Sequence, residues 1–547
     1  MSQIAEIDPN GGLRPVSTRV MNLATFLTQV ARRDPKGIAL VMGDQRWSWQ
    51  EFEARTNALA HALQTRFGLK KGDRVMCQSQ NCLEMMQAMF AVWRAGGVWV
   101  PANFRQTPEE VTYLTQASGA RLMMCNASFP EHAAACRAAC PDLTTILGFG
   151  AAEFGPSIEE ITDAALGQMP EVAPVDRDDP CWYFFTSGTT GRPKASVLTH
   201  GQMAFVVTNH LADLMPGLTT QDASLVVAPL SHGAGVHQLT QVARGVKTVL
   251  LPSERFDPAQ VWDLVREWQV STMFTVPTIL KLLVEHPSTA TADTSSLRYV
   301  IYAGAPMYRV DQQKALKTLG KVLVQYFGLG ECTGNITVLP TYLHEADDSP
   351  TLRVGTCGYA RTGIEIQIQD DQGRELPFGQ TGEICCIGPA VFAGYYQNPA
   401  ANAKSFRNGW FRTGDLGHLD EQGYLFITGR ESDMFISGGS NVYPREIEEK
   451  ILTHPAINEV AVLGIPDPLW GEVGWAVCVA SLPVSEDELA GFLEGKLSRY
   501  KMPKRFVLWD ALPKSAYGKI TKKMIRDELQ ARGLIPEPVP HAAGGSA

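Results

Sequence analysis

The chain has 547 residues, which is more than one compact core accommodates, so we expect two to four structural lobes. Its net charge is -9, and this acidic balance argues against a nucleic-acid-binding protein, whose surface is normally basic. Hydrophobic residues make up 45% and charged residues 19% of the chain, the proportions of an ordinary soluble globular protein.

The N-terminal segment Met1–Asp8 has no basic region followed by an apolar core, so we expect no signal peptide. No uncharged apolar stretch reaches the roughly 20 residues that span a bilayer. The eleven cysteines show no metal-ligand spacing, and their odd number in a long chain disfavours a disulfide framework. We therefore expect reduced, buried cysteines and a cytoplasmic protein.

Residues 59–64 and 85–93 carry apolar side chains at helical spacing, and we predict helices there.

After an apolar, strand-like run at 181–185, residues 186–194 read Thr-Ser-Gly-Thr-Thr-Gly-Arg-Pro-Lys. Its glycines let backbone N–H groups approach an anion closely, its hydroxyls add donors, and its lysine adds a positive charge. The spacing differs from the P-loop of ordinary NTPases. The alternative for such a composition is a flexible surface loop. The residues that we assign to polyphosphate binding are Thr186, Ser187, Gly188, Thr189, Thr190, Gly191 and Lys194.

Short apolar runs recur at 224–230, 246–251, 272–277, 297–304 and 322–328, with helix-like patterns at 261–268 and 279–286. Strands that alternate with helices at this spacing form a parallel sheet with crossover helices, so we predict an α/β fold. In such sheets ligands gather at the carboxyl ends of the strands. We therefore expect loops 231–235, 303–306 and 328–331 to open on one edge.

The pattern changes after Asp415, where a glycine-punctuated segment at 429–439 leads into a smaller α+β pattern. We predict a helix at 486–498 and a strand at 505–509. The chain then divides into a large N-terminal domain with parallel and mixed sheets and flanking helices (1–431), a small C-terminal domain (432–532) and a disordered tail (533–547).

The string at 186–194 resembles the signature of the adenylate-forming superfamily, which comprises acyl-CoA synthetases, peptide-synthetase adenylation domains and luciferases. Further segments resemble the superfamily's motifs in the same order along residues 20–530. The resemblance implies that ATP, with Mg²⁺, activates a carboxylic acid to acyl-AMP with release of pyrophosphate. In the acyl-CoA synthetase branch, coenzyme A then displaces AMP to give a thioester.

By this resemblance, residues 303–306 lie against the adenine and the acyl group. Residues 325–331 read Gln-Tyr-Phe-Gly-Leu-Gly-Glu and resemble Gln-x-Tyr-Gly-x-Thr-Glu, whose glutamate holds Mg²⁺. We assign Glu331 and Thr190 to that ion. Phe327 replaces the usual tyrosine and Gly330 the usual threonine, so each change removes a hydroxyl. The further nucleotide-binding residues implied are Gly304, Ala305, Pro306, Gln325, Tyr326, Phe327, Gly328, Leu329 and Gly330.

Residues 410–416, Trp-Phe-Arg-Thr-Gly-Asp-Leu, resemble the motif whose aspartate accepts hydrogen bonds from both ribose hydroxyls, which assigns that role to Asp415. Arg430 matches a second ribose or phosphate contact. Residues 512–522 resemble the loop of the catalytic lysine, and the Gly-Lys-Ile context selects Lys519. A positioned ammonium lowers the barrier to joining two anions at the α-phosphate. The alternative is that the lysines here form a solvated basic face.

Members of the superfamily rotate the small domain between the two half-reactions. Here the hinge position is Ser432, where the family usually has Asp or Lys. Gly438 and Gly439 would line a tunnel for the pantetheine thiol, and Trp470 and residues 499–504 are candidate coenzyme A contacts.

We expect the acyl pocket to be built from residues 229–240, 302–307 and 326–337. These segments contain no Lys or Arg, which disfavours a second carboxylate on the substrate. Their glycines and alanines leave room for a medium-chain fatty acid or an aryl acid. Two histidines either hydrogen-bond a polar tail or are structural. The substrate contacts that we assign are His232, Gly233, Val236, His237, Ala303 and Gly328.

Three alternatives stay open. An amino-acid adenylation domain normally has an acidic anchor, but 229–240 and 302–307 contain no Asp or Glu, and the chain ends too soon for a carrier domain. A luciferase-like oxygenase shares the motifs. A non-catalytic nucleotide-binding or scaffold protein is disfavoured because Lys519, Glu331 and Asp415 are retained. The sequence also leaves open whether the protein is a homodimer.

Overall fold

A computed structural model of the chain describes residues 20–186, 192–253, 255–305, 307–430, 432–437, 440–514 and 520–535. Within these residues the strands form three sheets of fourteen, six and five strands, with helices packed on them. The α/β fold with a large first part and a smaller α+β second part, as predicted from the sequence, is confirmed.

The helices of the described residues are α1 (Thr25–Arg33), α2 (Trp49–Thr65), α3 (Leu83–Arg94), α4 (Pro108–Ser118), α5 (Pro130–Ala139), α6 (Ile158–Ala164), α7 (His200–Asn209), α8 (Gly233–Arg244), α9 (Pro258–Trp268), α10 (Pro277–Glu285), α11 (Arg309–Leu319), α12 (Pro399–Ser405), α13 (Pro444–Ile451), α14 (Glu486–Leu493) and α15 (Lys522–Ala531). A π-helix spans His210–Leu214, and a short 3-10 turn spans Gly330–Cys332.

The strands are β1 (Ile38–Met42), β2 (Gln45–Ser48), β3 (Arg74–Gln78), β4 (Val98–Ala102), β5 (Leu122–Asn126), β6 (Thr145–Phe149), β7 (Pro180–Thr186), β8 (Lys194–Thr199), β9 (Ala223–Val226), β10 (Lys247–Leu250), β11 (Thr272–Thr275), β12 (Tyr299–Tyr302), β13 (Leu323–Phe327), β14 (Thr337–Leu339), β15 (Thr356–Ala360), β16 (Glu365–Gln369), β17 (Gly382–Ile387), β18 (Phe406–Arg407), β19 (Trp410–Leu419), β20 (Tyr424–Arg430), β21 (Phe435–Ser437), β22 (Ser440–Val442), β23 (Ile457–Asp467), β24 (Gly471–Ala480) and β25 (Arg505–Trp509).

The six-stranded sheet has the order β6-β5-β3-β4-β7-β8, and its neighbours are parallel except for the last pair. Its strands are buried on both faces because helices cover them, as β4 illustrates with five buried residues out of five. The connecting helices start at defined caps. For α4, the Thr107 hydroxyl accepts from the Glu110 N–H, and Pro108 fills the first helical position.

The fourteen-stranded sheet contains the parallel series that the sequence predicts. Strands β10, β9, β11, β12 and β13 are consecutive parallel neighbours, and α9 and α10 are the predicted crossover helices. One expectation needs correction, because residues 231–235 are not wholly a loop. Helix α8 begins at Gly233, so Val236 and His237 lie on its first turns.

The N-terminal helices α2 and α3 confirm the helical periodicity at 59–64 and 85–93. All eleven cysteines are buried and free, as expected from their count and spacing. In the described part of the chain, no helix combines the length and the apolar character that crossing a bilayer requires.

The five-stranded sheet begins at Phe435, whereas the fourteen-stranded sheet ends at Arg430, and this change supports the domain boundary that we propose near residue 431. Strand β25 coincides with the predicted 505–509. Helix α14 is shorter than predicted, since it ends at Leu493, two residues before Gly495 at φ 75°. Ile535 is buried with the core of the small domain, so the packed chain extends past residue 532; residues 536–547 lie outside the described part.

Candidate active site

The predicted phosphate loop connects two antiparallel strands. Thr186 at the end of β7 pairs with Lys194 at the start of β8, so the two described ends of the segment face each other across a hairpin. The buried apolar strand 181–185 precedes the loop, as predicted. Ser187, Gly188, Thr189, Thr190 and Gly191 lie outside the described residues.

Glu331 is a buried carboxylate, 4% exposed, beside this hairpin. Its Oε1 accepts hydrogen bonds from the Thr186 hydroxyl at 2.8 Å and from the Tyr395 hydroxyl at 2.9 Å. Its backbone carbonyl also accepts from the Phe392 N–H at 2.8 Å. A buried charge is tolerated when such donors compensate it. The structure thus joins the predicted metal-binding residue to the phosphate segment.

Lys194 lies over the ring of Tyr395, with its Nζ 4.3 Å from the centroid of that ring. Burial lowers the pKa of Lys194, and the charge of Glu331 opposes this change. Burial and the nearby Glu331 raise the pKa of Tyr395, so its hydroxyl stays protonated and donates at neutral pH. An ammonium and a carboxylate therefore flank one phenol at the mouth of the hairpin.

The packing around position 330 explains why this chain has a glycine, Gly330, where the superfamily motif has a threonine. A Cβ at this position would lie 2.7 Å from Phe184 Cδ1 and 2.8 Å from Thr186 Cγ2. Such contacts are too short for a side chain to be accepted without movement of the neighbours. The ring of Phe184 therefore fills the volume that a residue 330 side chain would need.

Asp415 and Arg430 are register partners on β19 and β20. The Arg430 Nε donates to Asp415 Oδ1 at 3.0 Å, and Asp415 is only 5% exposed. The Asp415 carboxylate, assisted by Asp433 and Glu331, raises the pKa of Arg430. Because Glu331 contributes to this effect, the two predicted nucleotide-binding regions lie within electrostatic range of each other.

The predicted adenine and acyl segments follow β12 and β13. Ala303 is buried in an apolar cluster together with Tyr326, and Gly304 adopts φ 82° directly after the strand. The Gln325 amide oxygen accepts from the Tyr302 hydroxyl at 3.0 Å. Ala305 lies in the segment after β12, Phe327 is the last residue of β13, and Leu329 follows that strand, whereas Pro306 lies outside the described residues.

The glycines of this region do not leave open space. A Cβ at Gly328 would lie 2.5 Å from the backbone of Gly334, and one at Gly235 would lie 2.1 Å from the Leu230 carbonyl. The expectation that small residues here enlarge an acyl cavity is therefore wrong for these two positions, which instead allow close backbone approach. Substrate contact at Gly233 and Gly328 stays a prediction.

The two predicted histidines have different surroundings. The His232 ring packs on Phe184, with ring centroids 4.5 Å apart. His237 is buried and stacks on Phe274, with centroids 4.4 Å apart, next to the buried residue Val236. Neither ring nitrogen of His237 has a hydrogen-bond partner among the described residues. A substrate role for His232, Val236 and His237 stays a prediction.

In the small domain, three of the predicted functional residues (Lys519, Gly438 and Gly439) lie outside the described residues. Lys514 forms an ion pair with Glu459 at 2.6 Å, and Lys522 pairs with Glu448. The assignment of Lys519 as the catalytic lysine stays a prediction. The hydroxyl of the predicted hinge residue, Ser432, donates to Asp433 at 3.3 Å. Trp470 is 43% exposed, and Lys504 Nζ lies 5.9 Å from its ring centroid.

Sequence reasoning missed Tyr395 and Arg361. Tyr395 lies 64 residues after Glu331, and the only sequence signal was a Gly-Tyr-Tyr string within a glycine-rich segment. Arg361 comes from outside the three segments searched for a cationic partner, and its guanidinium carbon lies 6.0 Å from the centroid of the Tyr326 ring. Both positions become evident only when the strands are assembled.

Comparison with known proteins identifies relatives over almost the whole chain. The model of the AMP-binding enzyme family matches residues 27–396, and that of the AMP-binding enzyme C-terminal domain matches residues 446–519. A feruloyl-CoA synthase of an Amycolatopsis species is 35% identical over 512 residues, covering 93% of this chain and 99% of the relative. A long-chain-fatty-acid–CoA ligase of Mycobacterium tuberculosis is 32% identical, with coverage of 93% and 99%.

Solved structures agree with these relatives. ATP-bound MatB from Rhodopseudomonas palustris superposes with a TM-score of 0.83 at 30% identity, covering 93% of this chain and 99% of that one. The o-succinylbenzoate CoA synthetase of Bacillus subtilis, in complex with its acyl-adenylate intermediate, gives a TM-score of 0.80 at 30% identity, with coverage of 92% and 98%.

Proposed function

The chain belongs to the AMP-binding enzyme family and is an adenylate-forming acid–thiol ligase, and we propose that its substrate is a medium-chain fatty acid or an aryl acid with one carboxylate. ATP and coenzyme A are the other substrates. The observation that carries the assignment at the site is the buried Glu331 carboxylate, held by the Thr186 hydroxyl at the foot of the phosphate hairpin. Asp415 and Arg430 complete the nucleotide side.

The reaction that this site supports has two steps. A carboxylate oxygen of the acid forms a bond to the α-phosphorus of ATP, and the bond to the bridging oxygen of pyrophosphate breaks. The thiol sulfur of coenzyme A then bonds to the acyl carbon, AMP leaves, and the thiol proton is released. Two anions meet in the first step, so cationic groups at the phosphates lower its barrier. We assign this role to Lys194 and Lys519.

The donor set at Glu331 fits Mg²⁺. Its carboxylate and the Thr186 hydroxyl, 2.8 Å apart, are both oxygen donors, which is the ligand type that Mg²⁺ prefers. We propose that the phosphates and water complete the coordination of the ion. When bound, Mg²⁺ supplies positive charge that shields the triphosphate.

Asp415 suits a ribose because a buried carboxylate accepts hydrogen bonds from adjacent hydroxyls. Arg430 fixes one of its oxygens at 3.0 Å, which sets the orientation of the carboxylate plane. The Arg430 side chain is itself 49% exposed, so its guanidinium also reaches the solvent-facing side of the site. We propose that the pair holds the ribose while Arg430 contacts ribose or phosphate.

For the second step we propose that rotation at Ser432 removes Lys519 and brings Gly438, Gly439 and Trp470 to the thiol. The partly exposed indole of Trp470, with Lys504 beside it, offers an aromatic face and a positive charge. These groups suit a nucleotide-bearing thiol such as coenzyme A.

A screen of pyrophosphate release tests the proposal. Fatty, aryl and short substituted acids are each incubated with ATP and Mg²⁺, with and without coenzyme A, and thioesters are identified by mass. We expect acid-dependent release and a thioester with medium-chain or aryl acids. Release that requires amino acids would favour an amino-acid adenylating enzyme, and light emission a luciferase-like one. No release with any acid would favour a non-catalytic scaffold.

We also propose a cytoplasmic location, because all eleven cysteines are buried and free and a reducing compartment keeps them so. The homodimer is a separate prediction. Sedimentation velocity of the purified protein over a tenfold concentration range tests it, and a single monomeric species throughout would refute it.

A further inference from the structure

A group of polar side chains is buried beside the predicted acyl pocket. It consists of the buried residues His210 on the π-helix, His237 on α8 and Arg361 after β15, together with the partly buried Asp213 on the π-helix, and we call it the buried polar cluster. The His210 and His237 rings are 4.7 Å apart, and Arg361 lowers the pKa of both, after burial itself. Short π-helices inside helical segments often mark functional sites.

The hydrogen-bonding capacity of the cluster is largely unused. Arg361 is 1% exposed, yet its Nε and Nη2 have no hydrogen-bond acceptor within the described residues. All four ring nitrogens of His210 and His237 are likewise unpaired there. Buried polar atoms are normally paired, so this group of six nitrogens calls for a ligand or ordered water.

Charge in the cluster is balanced. Asp213 lies 3.8 Å from Arg361 Nε, close enough to offset its charge but too far for a hydrogen bond. The Asp213 carboxylate instead accepts from the Thr362 N–H and hydroxyl, both at 2.8 Å. Burial lowers the pKa of His237 to about 3, so this ring is neutral at pH 7 and offers one donor and one acceptor.

The cluster adjoins two of the three segments predicted to wall the acyl pocket. Arg361 Nη1 donates to the Gly334 carbonyl at 3.5 Å, within segment 326–337. His237 stacks on Phe274, and a Cβ built on Gly233 would lie 3.0 Å from that ring and 3.7 Å from the Tyr326 hydroxyl. The cluster therefore lies at the acyl side of the site.

Resting on the proposed ligase function, we propose that Arg361, His210 and His237 recognise an uncharged oxygen at the far end of the acyl group, such as a phenolic hydroxyl or a keto oxygen. A purely alkyl tail would offer these nitrogens no hydrogen-bond acceptor. A second carboxylate would add a negative charge where Asp213 already balances Arg361. A neutral oxygen accepts from the guanidinium and adds no charge.

Matched pairs of acids test this inference in the wild-type enzyme. The pairs are cinnamic and 4-hydroxycinnamic acid, and octanoic and 8-hydroxyoctanoic acid, with octanedioic acid as the charged comparison. We expect kcat/KM for pyrophosphate release in the presence of coenzyme A to be at least about tenfold higher for the hydroxylated member of a pair. Equal values, or preference for the plain member in both pairs, would overturn the inference. Preference for octanedioic over 8-hydroxyoctanoic acid would overturn it too.

The variant Arg361→Leu with Asp213→Asn removes the guanidinium without stranding a buried carboxylate. We expect its preference for hydroxylated acids to fall to about onefold, mainly through KM. The matched control is Arg353→Leu with Asp420→Asn, which removes another Arg–Asp pair. Arg353 lies just before β15 and is 2.8 Å from Asp420, and this variant should keep the preference. An unchanged preference in the Arg361 variant, or equal loss in the control, would contradict specific recognition.

If the double variant fails to fold, His237→Phe provides the second test, because a phenyl ring keeps the stack on Phe274. It should reduce the preference by several-fold, and an unchanged preference would count against the inference. Failure of the proposed ligase function would give a different result from failure of this inference. It would appear as no pyrophosphate release with any acid, whereas release without a preference refutes only the recognition of a distal oxygen.

Discussion

The ring of Phe184 occupies the space next to Gly330 in which threonine usually stands in this superfamily, with Cδ1 2.7 Å from where a Cβ would be. Restoring the threonine should therefore destabilise this chain. We expect Gly330→Thr to lower the free energy of unfolding by about 1–3 kcal/mol, the usual cost of overpacking. Urea titration of the variant measures this change.

A double-mutant cycle separates crowding by Phe184 from other effects. Phe184→Leu in the Gly330→Thr background should recover part of the loss, so the two changes should be non-additive by about 0.5 kcal/mol or more. Gly491→Thr serves as the control, because a Cβ built there meets no described atom within 4 Å apart from its chain neighbours and the backbone of its own helix. Additive effects of Gly330→Thr and Phe184→Leu would show that the ring is not the cause.

Tyr395 should matter for the nucleotide because its hydroxyl donates to Glu331 at 2.9 Å. Removing a hydrogen bond to a charged group costs about 1.5–3 kcal/mol, so Tyr395→Phe should lower kcat/KM for ATP by roughly 10- to 100-fold. Tyr396→Phe is the matched control, since its exposed hydroxyl accepts a hydrogen bond from the Gln397 amide at 3.1 Å. Similar losses in both variants would argue against a role through Glu331.

Lys519→Ala should separate the two half-reactions. Loss of one group that stabilises the charge of a transition state costs about 100- to 1000-fold, so acyl-AMP formation should fall by that factor. Thioester formation from supplied acyl-AMP should largely survive. Lys514→Ala is the control, because that lysine is paired with Glu459. Collapse of both steps in Lys519→Ala would indicate a role in folding or in both reactions.

Ser432→Pro should harm thioester formation more than adenylation, because proline fixes φ at the position about which we expect the small domain to rotate. Ser432→Ala removes the hydroxyl contact to Asp433 but keeps the torsion free, so it should leave both steps nearly unchanged. Separate assays of pyrophosphate release and thioester formation measure the two steps. An equal loss of both in Ser432→Pro would defeat the hinge assignment.

Acid should destabilise the protein through its buried histidines. Burial lowers the pKa of His237 to about 3 and those of His200 and His344 to about 4, from 6.5 in the unfolded chain. Between these values the unfolded state binds more protons than the folded state, so stability is fully present above pH 6.5 and is lost as the pH falls. The slope is about 1.4 kcal/mol per pH unit for each histidine.

Urea unfolding at pH 7, 6 and 5 measures that slope. His344→Gln should reduce it by about one proton, and glutamine can keep a hydrogen bond with the Tyr302 hydroxyl, which lies 3.0 Å from the His344 Nε2. A stability that is constant from pH 7 to 5, or a slope that this variant does not change, would contradict the prediction.

The sequence allowed prediction of the elements whose signals are local. The parallel strands β9 to β13 followed from apolar runs of regular spacing, because each run buries itself between layers of helices. The roles of Asp415 and Glu331 were assigned from their resemblance to family motifs and stay predictions. The pairing of Asp415 with Arg430 could not be predicted in this way, because it depends on the register of β19 and β20, which a sequence motif does not specify.

The parts that escaped prediction depend on tertiary contacts. Tyr395 reaches Glu331 across 64 residues, and Arg361 reaches the predicted acyl pocket from a strand end outside it. The sequence alone predicts room for a substrate at glycines, because it shows that a side chain is missing but not which neighbouring atoms fill the space. At Gly235 and Gly328 the neighbouring backbone fills it.

The change of sheet between Arg430 and Phe435 leaves four residues to connect the two parts of the molecule. So short a tether keeps the small domain within a few residue lengths of the nucleotide in every orientation. The lysine predicted to be catalytic and the glycines predicted to line the thiol tunnel would then compete for the site at an effective concentration that the short connection sets, independent of diffusion from bulk solvent. The balance between the two half-reactions would therefore depend on the relative stability of the two orientations and would not change with enzyme concentration.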